Sequence, residues 1–335
     1  MTEPTPARPS ELPSELPSGL PSVSDAAAPG AVAWRRVGLY YAIALGGATV
    51  VATGLRLLGD ALGPAGSGLV VAGTALLYMP LPLVAGLVVE RSSGRRYLLG
   101  REWRALRAGF WRTWGRNALA AVVAVLAIAA LGFAVAWLAG VAGLPGGGHL
   151  IVSDAELQEH LARLSPGMAP AAIPALPVLV AVGLVEGILA GVSVNGLFAF
   201  GEEYGWRGVL ADELAPLGRL APLLIGVLWG FWHAPIIIAL GHNYGAQWGW
   251  GVPVMIAWTI PFSYLLAGVR RRTGSVLAPA LLHGAFNGTA GLFTVLVAGG
   301  DALVALPVGI LMALVLAGAA LVEARLPRTQ RSLPA

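Results

Sequence analysis

Three short stretches set ionisable and amide side chains into otherwise apolar sequence. They are Gly201-Glu202-Glu203-Tyr204-Gly205-Trp206-Arg207, Trp229-Gly230-Phe231-Trp232-His233-Ala234-Pro235 and His283-Gly284-Ala285-Phe286-Asn287. Helical geometry sorts their side chains. Glu203 and Arg207 are four apart with the acid nearer the amino end, the favourable order for an ion pair. Glu202 is turned about 100° away and stays free for chemistry. His283 and Asn287, also four apart, leave one face of their helix, and an imidazole beside an amide can donate hydrogen bonds to a developing oxyanion. Glu202 and His233 can bind a water and deprotonate it, the carboxylate acting as general base. Together these groups could hydrolyse a peptide bond. Each alone has a plainer reading, since a single intramembrane His or Glu–Arg pair more often joins helices. The case for a site is their coincidence. A metal is a second option: Glu202, His233 and His283 could hold zinc with one position open. There is no His-Glu-x-x-His helix, and the residues leave the metal undecided.

The elements that position these groups are membrane spans. Hydrophobic residues make up 57% of the 335 residues and charged ones 11%, against roughly 25% charged in a soluble domain. Such a chain cannot coat a water-facing surface, so lipid is its solvent. Cysteine is absent, which excludes disulfides, thiolate metal sites and a cysteine nucleophile. Every basic side chain is arginine, so a lysine Schiff base is excluded and a GC-rich bacterial source is expected. The net charge of +4 is no nucleic-acid signal, because the arginines lie where membrane topology wants them.

A span needs about 20 apolar residues. Eight candidates result: 37–55, 69–89, 117–141, one within 174–213, 220–240, 251–269, 275–297 and 302–323. The expected fold is therefore all-α, a polytopic membrane protein of about eight transmembrane helices with a polar cavity among the fourth, fifth and seventh. The stretch 174–213 as one helix would be about 60 Å long, twice the hydrocarbon thickness. It should break, tilt or begin outside the membrane, and Pro174 and Pro177 suggest a separate early element. With the amino terminus in the cytoplasm, all of the 21 arginines except Arg56 and Arg163 fall inside, as the positive-inside rule asks. Both termini are then cytoplasmic. A fourth span over 189–213 puts Glu202 and Glu203 roughly 15 Å from its inner end. His233 and His283 then lie roughly 20 and 14 Å along their own spans. All three clusters share one depth.

Residues 1–34 read as a Pro/Ser-rich disordered cytoplasmic tail repeating Glu-Leu-Pro-Ser, 35–326 as the membrane domain and 327–335 as a short basic tail. Residues 91–116 mix arginines with Tyr97, Trp103, Phe110, Trp111 and Trp114, as an interfacial segment on anionic lipid does. Trp248 and Trp250 suit an outer aromatic belt. His242 and Asn243 belong to a solvated outer loop. Gly187 and Gly191 form a small-xxx-small pair that marks a helix contact.

In order and spacing, Glu202-Glu203-x-x-x-Arg207, aromatic-x-x-x-His233 and His283-x-x-x-Asn287 resemble the CPBP family, the CAAX prenyl endopeptidases and Abi-like bacteriocin-processing or immunity proteins. Trp206-Arg207-Gly208 and Trp232-His233-Ala234 are similar too, and the resemblance spans about residues 190–295. It implies an eight-helix intramembrane endopeptidase, often labelled a metalloprotease, in the plasma membrane of a bacterium. On that pattern Glu202 activates water with His233, and His283 with Asn287 stabilises the oxyanion. Glu203, Arg207, Trp206 and Trp229 support them. Trp229 stands where phenylalanine is commoner. The implied partner is a membrane-associated protein or peptide. A non-catalytic immunity factor or scaffold using the same cavity is the rival reading. A transporter would need repeat symmetry, whereas all three clusters lie in the carboxyl-terminal half.

Overall fold

The computed structural model describes residues 30–94, 98–164 and 173–326. Residues 1–29 of the tail expected over 1–34, the tail expected over 327–335, and Tyr97 lie outside the described residues, whereas Trp34 already belongs to a helix. Among the described residues the chain is an all-α membrane protein apart from one two-stranded ribbon. Helix α1 (Trp34–Leu62) leads through a tight turn to α2 (Ser67–Gly73) and α3 (Leu81–Ser92). Next come the short α4 (Leu98–Ala108), the long α5 (Arg116–Val141), strand β1 (Gly147–Leu150) and α6 (Asp154–Leu164). The second half holds α7 (Leu176–Ala190), α8 (Gly196–Glu203), α9 (Ala211–Glu213), α10 (Ala221–Trp232), α11 (Ala234–Leu240), α12 (Trp248–Thr273) and α13 (Leu277–Leu296). Strand β2 (Val297–Gly300), antiparallel to β1, and α14 (Ile310–Arg325) complete it.

Five helical stretches among the described residues are long and apolar enough to cross a membrane: Trp34–Ser92, Trp111–Val141, Leu176–Glu213, Ala215–Leu240 and Gly245–Thr273. The first folds back on itself, because α1 packs along α3. Helix α13 carries His283 and Asn287 in its middle, and the helical part of the last candidate span starts at Ile310 rather than near 302.

The structure corrects the reading of 174–213. Residues 176–213 form one unbroken helical run, and Pro177 sits in its first turn, where a missing N–H costs nothing. Among the described residues there is no separate early element. At 38 residues the run is about 57 Å long and must project beyond a bilayer core. It widens twice, at Gly191–Asn195 and Tyr204–Leu210, and such widened turns re-aim the side chains that follow them. The expected span over 220–240 is interrupted at His233, between α10 and α11, because Pro235 has no N–H to give the turn below it.

Ion pairs gather helix ends on one face of the bundle. Arg36 at the start of α1 meets Glu213 at 2.9 Å, Arg270 meets Asp212 at 2.7 Å, and Arg272 meets Glu323 at 2.8 Å. The ends of α9, α12 and α14 thus lie beside the start of α1. The ribbon, α6 and the Gln247–Asp301 contact at 2.7 Å lie at the other ends of these helices. Within the bundle, Gly226 and Gly230 let α10 close on α12, and Thr259 Oγ1 donates to the Gly226 carbonyl at 2.9 Å.

Candidate functional site

The two glutamates end α8, and each is held by a different neighbour. Glu202 Oε2 accepts the indole N–H of Trp229 at 2.9 Å, which ties α8 to α10 one turn before His233. Glu203 Oε1 accepts from Arg207 Nη1 at 2.8 Å and lies 3.0 Å from His283 Nδ1, which ties α8 to α13. The i, i+4 pair anticipated in the sequence is thus formed. It is deeply enclosed, since Glu203 and Arg207 are both 0% exposed. The arginine count puts Arg207 at the inner surface, but it belongs to this buried cluster.

A charged pair in such a place needs further partners. The guanidinium carbon of Arg207 lies 4.1 Å from the centroid of the Trp229 ring, a cation–π contact worth about 2 kcal/mol when desolvated. Trp229 therefore touches the acid, the cation and, with ring centroids 5.3 Å apart, His283. His233 follows one turn later. Its Nδ1 is 2.8 Å from the Trp229 carbonyl oxygen, and because a carbonyl only accepts, Nδ1 carries the proton and Nε2 is the free edge. His233 is half-buried, unlike the buried His283.

Small residues make this convergence sterically feasible. Gly187 and Gly191 face Gly288 and the Gly284–Ala285 backbone of α13, with nothing but main chain between them. The contact marked by Gly187 and Gly191 is therefore real, and its partner is a second pair, Gly284 and Gly288, that the sequence reading passed over. This crossing brings His283 to Glu203. Trp206 is buried and packs edge-on to Tyr40 and Trp232 at 5.3 and 6.0 Å between centroids.

Asn287 is not drawn in. It is exposed on α13 and makes no hydrogen bond among the described residues, whereas His283, four residues earlier, is buried. Residues that sequence reasoning missed come from helices carrying no motif. The hydroxyl of Tyr40 on α1 is enclosed without a hydrogen-bond partner, as are Glu203 Oε2, Arg207 Nε and Nη2, and Trp206 Nε1. Tyr78 donates to the Trp232 carbonyl at 2.5 Å, and Phe262 on α12 packs 5.5 Å from His283. An aromatic among aliphatic residues in a span gives no signal of its own.

These contacts also bear on zinc. Among the described residues no three His, Asp or Glu side chains converge as ligands. Glu203 is engaged by Arg207, and a guanidinium already occupies the cluster. These residues do not fit a metal centre, and no step below runs through one.

A polytopic helical membrane protein with an acid–histidine cluster inside its bundle is the class that fold and site define. Residues 175–289 match the family model described as Rce1-like, type II CAAX prenyl endopeptidase, and this match supports the resemblance to the CPBP family that the three motifs carry. No curated protein and no solved structure matches it.

Proposed function

We propose that this protein is an intramembrane endopeptidase that hydrolyses peptide bonds of a membrane-associated protein or peptide with a water activated by Glu202. The observation that carries the reading is the arrangement of adjacent carboxylates. Glu202 and Glu203 leave one turn of α8 toward the two helices that bear the histidines. One oxygen of Glu202 is fixed by Trp229, and the other is left to take a proton from water. His233, protonated at Nδ1 toward a carbonyl, presents an Nε2 lone pair that orients that water. His283 is steadied by Glu203 through Nδ1, so its Nε2 edge meets the substrate. As imidazolium it donates to the oxyanion with Glu203 as counter-ion. Asn287 is the second donor, reached by a carbonyl lying along the exposed side of α13. Trp229 and Arg207 position the carboxylates, and Trp206 packs behind them.

The same reading counts eight crossings within 35–326, taking α1 and α2–α3 separately and adding α13 and α14. It places the protein in a bacterial plasma membrane with both chain ends in the cytoplasm. The clustering of Arg36, Arg270 and Arg272 on one face supports that orientation.

The test compares peptide termini in membranes carrying the wild-type chain or Glu202→Gln at equal abundance. Products present only with the wild type are expected. Gln still accepts from the Trp229 indole, so folding is retained while turnover falls by about 10²–10⁴-fold. Identical products with both chains would remove the base and the mechanism with it.

A further inference from the structure

Outside the acid–histidine cluster the structure has a second feature with the marks of a site. A cavity of about 440 Å³ lies between α4 and the transmembrane helices α8 and α13, within the size range of roughly 300–1,000 Å³ typical of small-molecule pockets. Leu99, Trp103 and Leu106 line it from α4, and Leu197, Phe200 and Leu281 from the other side. The three α4 residues fall at spacings of four and three, one stripe of a helix lying at the membrane surface. Leu197, which lines the cavity, is 71% exposed, and its neighbour Val194 is 58% exposed. These are side chains of a span facing acyl chains, so whatever fills the cavity arrives from the bilayer.

Charge narrows the occupant. Arg104, Arg107, Arg112 and Arg116 are exposed along α4 and the start of α5, and among the described residues none is paired with an acid. The one acid lining the cavity, Glu102, is buried and spent on α13. Its carboxylate accepts from Ser275 Oγ at 2.5 Å and from the Val276 N–H at 3.2 Å, with Arg101 3.6 Å away. That latch ties α4 to the turn that opens α13, and the slot beside it is apolar, on the same segment that carries the four exposed guanidiniums. Guanidinium forks suit phosphate oxygens. We propose that this slot holds one acyl chain of an anionic phospholipid whose phosphate rests on Arg104, Arg107, Arg112 and Arg116. The bound lipid completes the contact of α4 with α8, and it requires no catalytic activity of the protein.

Full-length protein in phosphatidylcholine vesicles, doped with phosphatidylglycerol or phosphatidylcholine bearing a photoactivatable acyl chain, tests this. Cross-links are expected to concentrate on residues 99–110 and 192–200, severalfold more from phosphatidylglycerol. The preference should vanish when the four arginines become glutamine. Leu197→Trp, which fills the slot from an exposed position, should abolish labelling there by both probes. Native mass spectrometry of the wild-type chain alone should find one retained phosphatidylglycerol, a readout that no misfolded variant can spoil. Labelling spread evenly over lipid-facing helices, equal labelling by both probes, a cross-link between two copies at 192–200, or a retained isoprenoid in place of phospholipid would overturn the proposal.

Discussion

Glu203 Oε1 and His283 Nδ1 stand 3.0 Å apart, and the same oxygen accepts from Arg207 at 2.8 Å. One carboxylate thus neutralises a buried cation and steadies an imidazole that sits 80 residues further along the chain. Removing the charge has two separable costs. Glu203→Gln leaves Arg207 buried without a counter-ion, a loss of about 3–5 kcal/mol. Adding Arg207→Met, which replaces the cation by an apolar chain, is expected to restore most of the thermal stability in detergent. Turnover should stay low in both variants, because His283 has lost its carboxylate. A single variant that melts like the wild type would show that the pair carries no net electrostatic weight.

Trp229 is the next point of leverage. Its indole N–H is the hydrogen-bond donor found for Glu202, and its ring lies under Arg207. Trp229→Phe keeps an aromatic face and deletes the N–H, which costs about 1–3 kcal/mol by leaving a buried acceptor short of a donor. Turnover is expected to fall about tenfold through kcat with KM little changed, since the indole aims the base and does not touch substrate. A change confined to KM would reassign Trp229 to substrate binding.

Much of this site was legible because lipid makes polar residues expensive. Glu202, Glu203, Arg207, His233 and His283 stand out against an apolar background, and helical spacing by itself pairs Glu203 with Arg207. What stayed hidden is contact that spacing cannot carry. The Glu203–His283 bond joins different helices, and the indole bond from Trp229 makes that residue a clamp on the base. Spacing paired His283 with Asn287, yet one is buried and the other exposed, because a shared helix face is still divided by what packs against it. The 174–213 run misled for a physical reason. Proline reads as a break, but at the first turn of a helix it is a start.

The crossing of α7 and α13 has no room for side chains. A Cβ on Gly288 would collide with the Gly187 backbone, whereas one on Gly291, in the same helix, would meet nothing within 4 Å. Gly288→Ala is therefore expected to cost about 1–3 kcal/mol by overpacking and to cut turnover by pushing His283 off Glu203. Gly291→Ala should leave turnover unchanged and raise stability by up to about 1 kcal/mol through helix propensity. Thermal melts and turnover of the two variants, measured side by side, check the contrast. Equal effects would mean that the helices part easily and that the crossing does not position the histidine.

Asn287 separates packing from chemistry most sharply, because its side chain is exposed and supports nothing in the fold. Asn287→Ala should leave stability within about 0.5 kcal/mol, as surface substitutions do. If the amide meets the oxyanion only once substrate lies along α13, kcat falls by about 10²–10³-fold, the usual cost of removing one such donor. Asn287→Asp, which keeps the shape and reverses the electrostatics, should be no better than alanine, since a carboxylate repels the charge the amide would stabilise. Full turnover in both variants would take Asn287 out of the mechanism and leave His283 as the single donor on that helix. The unchanged melting temperature ensures that a loss of activity is read as lost chemistry and not as lost fold.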